Sequence, residues 1–94
     1  MNIQTLSSIK SKFVARQVTD ELVIVPLSGN VAQMNELFTL NETGKFIWEN
    51  ATENNDISSI AKLMTEAFDI DEATATDDVN VFLSQMDILS KYSQ

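Results

Sequence analysis

The stretch LFTLNETGKFIWEN, Leu37 to Asn50, decides the fold. Its first four residues read as the end of a short strand over Glu36 to Leu40, rich in residues that suit a pleated surface. Asn41 follows as a good N-cap, Glu42 stands where the helix dipole favours an acid, and Phe46, Ile47 and Trp48 supply apolar contacts in the next turn. A strand therefore passes into a helix with almost no connecting loop. Gly44 is a poor helix former, and its place in that first turn predicts a close approach to another backbone.

Upstream, FVARQV (Phe13 to Val18) and ELVIVPL (Glu21 to Leu27) are two β-branched runs separated only by Thr19-Asp20, a hairpin spacing. Pro26 cannot donate to a ladder and marks the end of the second strand. SGNVAQMN reads as a loop built on Gly29-Asn30, so a three-stranded antiparallel sheet is expected. Downstream, Asp56 caps a helix carrying Ile57, Ile60, Ala61, Met64 and Phe68 at helical spacing. Asp71 caps a third and longest helix, over about residues 72–91, whose core stripe is Val79, Phe82, Leu83, Met86 and Leu89. The order β-β-β-α-α-α makes an α+β domain of winged-helix-like type over residues 13–94, preceded by a flexible extension over 1–12.

Ninety-four residues fit one domain and one modest core, burying roughly 60 to 65% of the unfolded surface. The chain has no Cys and no His, which removes disulfides, thiolate metal sites, the commonest general base and the commonest metal ligand. The Ser and Thr residues have no imidazole to activate them, and the two glycines, Gly29 and Gly44, form no phosphate loop. Asp69, Asp71 and Glu72 suit helix capping better than a calcium loop, and Asp77 and Asp78 suit a solvated helix face better than acid-base work. No catalytic residue, metal or cofactor is expected. MNIQTLSSIKSK lacks the apolar run of a signal peptide, and no segment approaches the roughly 20 apolar residues of a membrane span, so the cytoplasm is the expected location and no membrane partner is expected.

One feature of the last helix exceeds what a single core requires. At about 100° per residue the core stripe occupies one arc, while Val81, Gln85, Ile88 and Tyr92 fall together between about 180° and 240°, with Thr74 and Asp78 extending the line toward the N-terminal end. A second apolar stripe suits a groove, a partner or a dimer contact, against the plainer alternative of scattered surface apolar residues.

The hairpin FVARQV…DELVIVPL, the turn Leu40-Asn41-Glu42-Thr43-Gly44 with Phe46-Ile47-Trp48-Glu49, and the last helix DDVNVFLSQMDILSK resemble the protein D family of pyrroloquinoline quinone biosynthesis over about residues 13–91. The resemblance implies a non-catalytic recognition domain. Such a domain captures the leader segment of a ribosomally made precursor peptide by strand addition and presents it to a modifying enzyme, often a radical SAM protein. It places the leader on the third strand, Leu37, Phe38, Thr39 and Leu40, and against the last helix. There Thr74, Asp78, Val81, Gln85 and Ile88 would select the peptide and Phe82 would form the floor.

Two alternatives remain at this level: a winged-helix regulator or nucleic-acid adaptor, and a homodimeric scaffold. Charge bears on the first. Lys10, Lys12 and Arg16 give residues 1–19 a charge of +3, but residues 20–94 hold three bases against fourteen acids, for −8 in total. Residues 72–90 carry no Lys or Arg where a recognition helix would need them. Duplex DNA binding should therefore be undetectable near physiological salt. A salt-sensitive gel shift at micromolar protein would contradict this and favour the regulator.

Overall fold

A computed structural model describes residues 1–27 and 38–91. Strand β1 (Phe13–Val18) pairs antiparallel with β2 (Glu21–Pro26) from Phe13↔Pro26 to Val18↔Glu21, turning through Thr19-Asp20. Thr19 adopts φ 52°, the left-handed conformation that closes so short a turn, and the Gln17 side-chain amide donates to its carbonyl at 2.7 Å. Strand β3 (Phe38–Leu40) pairs antiparallel with β2 through Leu22↔Leu40, Val23↔Thr39 and Ile24↔Phe38, giving the sheet order β1-β2-β3. Leu22, Ile24 and Pro26 alternate into the core, whereas β1 buries Phe13 alone. The expected loop on Gly29-Asn30 and the expected strand residues Glu36 and Leu37 lie outside the described residues, as does Tyr92.

Three helices follow, numbered here in chain order from the first helix of the structure: α2 (Glu42–Asn50), α3 (Ile57–Phe68) and α4 (Glu72–Met86). All three begin at the expected caps. The Gly44 N–H donates to Asn41 Oδ1 at 2.9 Å, and the Thr74 N–H to Asp71 Oδ1 at 2.7 Å. At Asp56 the cap is reciprocal: Ser59 N–H donates to its carboxylate and its own N–H donates to Ser59 Oγ, both at 2.8 Å. Backbone hydrogen bonds from Ser59 and Thr74 hold the Asp56 and Asp71 carboxyls below the usual range, because they favour the charged form. The core joins Ile60, Ala61 and Met64 of α3 to Ala75, Val79, Phe82, Leu83 and Met86 of α4, with Leu22, Ile24 and Leu40 from the sheet and Ile47 and Trp48 from α2. Phe46 and Phe68 meet edge to face at 5.2 Å.

The expected α+β architecture is present, with three departures. Residues 1–12, expected to be an extension, begin with a helix, α1 (Ile3–Ile9), followed by a 3-10 turn over Lys10–Lys12. Asn2 caps it by accepting from the Thr5 N–H at 2.7 Å, and Ile3, Leu6 and Ile9 are buried in the common core. The order is thus α-β-β-β-α-α-α. Lys10 secures this segment to α2: its ammonium donates to the Trp48 carbonyl at 2.7 Å and the Ala51 carbonyl at 3.3 Å, and lies 5.6 Å from the Trp48 ring centre. Burial pushes the Lys10 pKa down, partly opposed by the Glu49 charge. The second departure concerns the last helix, which ends at Met86 and continues as a 3-10 turn over Asp87–Lys91. The third is at Gly44, whose close neighbours are side chains: a Cβ there would lie 3.3 Å from Leu40 Cβ and 3.4 Å from the Phe82 ring.

Because Leu6 has no exposed surface, Leu6→Ala should destabilise the domain by about 2 to 5 kcal/mol in chemical denaturation. A loss below about 0.5 kcal/mol, typical of a surface site, would show that α1 contributes nothing to the core.

Candidate functional site

The site begins with backbone chemistry. β3 stands at one end of the sheet order, so its ladder to β2 uses one edge, and among the described residues no strand pairs with the other. Unpaired N–H and C=O groups on such an edge can accept an added strand. Chain entry into α2 immediately after Leu40 puts the first turn of that helix beside the strand, and α4 packs against α2.

Two depressions meet here. One, about 290 Å³, is lined by Glu21, Thr39, Leu40, Asn41, Gly44, Phe82 and Gln85. The other, about 220 Å³, shares Asn41, Gly44, Phe82 and Gln85 with it and extends to Thr43, Ile47, Asp78 and Val81. Together they form one groove from the end of β3 to the second turn of α4. Its floor is apolar, made by the buried Ile47 and by Phe82, 4% exposed, with Gly44 between. Its rim is mixed: Val81 is 57% exposed, Gln85 is exposed and Asp78 is half-buried. Asn41 is committed to structure, since its Oδ1 accepts from the Gly44 N–H at 2.9 Å and from the Thr43 hydroxyl at 3.0 Å. The lining of both depressions contains no Lys or Arg.

Of the residues expected from sequence, Thr39, Leu40, Asp78, Val81, Phe82 and Gln85 come together in this groove. Phe38 belongs to the same strand, but packs against the core opposite Ile24 and does not line either depression. Thr74 is exposed in the first turn of α4 with its N–H bound to Asp71, and Ile88, 40% exposed, lies in the 3-10 turn beyond the helix; neither lines the groove. Leu37 is outside the described residues. The α2 wall, Asn41, Thr43 and Ile47, and Glu21 of β2 were not foreseen as lining. Asn41, Gly44 and Ile47 recur at intervals of three, one face of a helix, and that spacing was the available signal.

Among the described residues no three acidic side chains converge as a metal site would require, and no buried side-chain nitrogen or oxygen lacks a hydrogen-bond partner. No helix among them is long and apolar enough to cross a membrane. The groove offers an open strand edge, an apolar floor and two carboxylates; with neither His nor Cys in the chain, it offers no imidazole or thiol.

Comparison with known proteins agrees with this architecture. The family model described as Coenzyme PQQ synthesis protein D (PqqD) matches residues 21–88, a span that includes β2, β3, α2, α3 and α4. Among solved structures, TbiB1 in complex with the TbiA(beta) leader peptide superposes with a TM-score of 0.64 over 86% of this chain and 87% of that one, at 22% identity, which shows a shared fold. No curated protein matches the sequence.

Proposed function

Because the chain belongs to the coenzyme PQQ synthesis protein D (PqqD) family, we propose that it is a non-catalytic peptide-binding module. It captures the leader segment of a ribosomally made precursor peptide and presents it, in the cytoplasm, to a modifying enzyme of the radical SAM type. The observation that carries this reading is the juxtaposition of the open β3 edge with an apolar-floored groove on α2 and α4. An added strand gains ladder hydrogen bonds from β3 that are nearly blind to sequence, so side chains along α4 must supply selectivity. The TbiB1 structure supports the reading from outside, since that protein shares the fold and was solved with a leader peptide.

The test takes the leader segment of a candidate precursor peptide, sought as a short reading frame beside the gene, and titrates it calorimetrically into the full chain and into variants. Binding in the micromolar to nanomolar range corresponds to about 8 to 12 kcal/mol. Val81→Ala combined with Gln85→Ala should weaken it at least about tenfold, since groove anchors typically lose 1 to 2 kcal/mol or more on truncation. Both side chains are exposed, so the melting temperature should move by less than about 2 °C. Ile88→Ala, outside the lining, should have the smaller effect. Unchanged affinity in the double variant would remove the groove from the account, and loss of self-association in its place would identify the stripe as a dimer contact.

A further inference from the structure

Electrostatics in the groove is one-sided. Glu21 stands at the β3 end and Asp78 at the other, and no cation lines the space between them. Asp78 is half-buried, and among the described residues it forms no ion pair. Its own helix cannot supply one, because residues 72–90 contain no Lys or Arg. The cation of α2, Lys45, lines a separate depression at the hairpin turn with Gln17, Thr19, Asp20 and Glu42. The positive end of α2 does not fill the role either, since Asn41 Oδ1 and Glu42 already meet it.

A half-buried acidic side chain beside apolar surface is best met by a cation whose stem is apolar. Taking the peptide-binding reading as given, we infer that the segment held in this groove carries a lysine or arginine. Its cation pairs with Asp78 and its aliphatic stem lies over Ile47 and Val81. The spacing to a second anchor follows from helix and strand geometry. Asp78 and Phe82 are one turn apart, about 6 Å along α4. Two residues of an extended strand cover about 6.6 Å. A strand running along α4 therefore seats its basic residue at Asp78 and an apolar residue over Phe82 when the two are separated by one position.

A displayed library of random twelve-residue peptides tests this, selected in parallel against the full chain, Asp78→Asn and Glu53→Gln. The last removes the same charge from an exposed position in the α2–α3 connection and controls for the acidic body as a whole. The expected result is a Lys or Arg two positions from an apolar residue in peptides selected by the wild type and by Glu53→Gln, with the base lost and the apolar residue kept for Asp78→Asn. Replacing that base by Met in the best peptide should cost about tenfold in affinity for the wild type and nothing for Asp78→Asn. Peptides without a basic preference, or with one that survives Asp78→Asn, would overturn the inference and leave the peptide-binding reading standing. Failure to enrich any peptide would count against that reading itself, and the inference would fall with it.

Discussion

The groove depends on the junction at Asn41. Leu40 is the last residue of β3 and Glu42 the first of α2, so one residue, extended at φ −76° and ψ −174°, carries the chain from sheet to helix. Its Oδ1 accepts the Gly44 N–H, which satisfies a donor the helix would otherwise leave open and contributes about 1 kcal/mol, as such caps do. The larger effect is geometric. A junction without slack holds the first turn of α2 against β3, and this is tolerable because position 44 has no side chain: a Cβ there would already press on Leu40 and touch the Phe82 ring. The same absence leaves the groove open where its two halves meet.

Helix α2 is held at its other end as well, by the segment that the sequence presents as an appendage. The Lys10 ammonium donates to the Trp48 carbonyl, which also accepts the Ala51 N–H, and to the Ala51 carbonyl just past the helix, and lies close to the indole ring. Ile3, Leu6 and Ile9 set this tie into the common core. With both ends fixed, the wall of the groove need not be ordered when a ligand arrives, which reduces the entropic cost of binding.

Local signals explain what the sequence made legible. Asn41, Asp56 and Asp71 each precede a helical apolar pattern, and a cap needs only its own side chain and the N–H three residues on, so all three helix starts could be read directly. The Thr19-Asp20 turn was equally local. Helix α1 was harder to see, because it is only seven residues long and Ile3, Leu6 and Ile9, set among Gln, Thr and Ser, find their partners on elements far along the chain. The groove was half legible for a related reason: the α4 stripe is periodic, whereas the α2 wall exists only through tertiary packing. The stripe itself was extrapolated too far. Ile88 shares the face of Val81 and Gln85 but stands three residues beyond Gln85, in the 3-10 turn past Met86, where the groove has already ended. Thr74 lies on the same face but too near the start of α4, where its N–H is occupied with Asp71.

The sheet has two edges, and only β3 adjoins the groove, so the central claim is that a ligand adds to β3 and leaves β1 untouched. Amide hydrogen exchange, resolved by residue with and without the precursor peptide, tests it most directly. The account predicts that at least one amide among Phe38, Thr39 and Leu40 slows by about tenfold or more on peptide addition, as a ladder hydrogen bond replaces one to water, while Val14 to Val18 exchange as before. Protection on β1 with no change at Phe38 to Leu40 would contradict it.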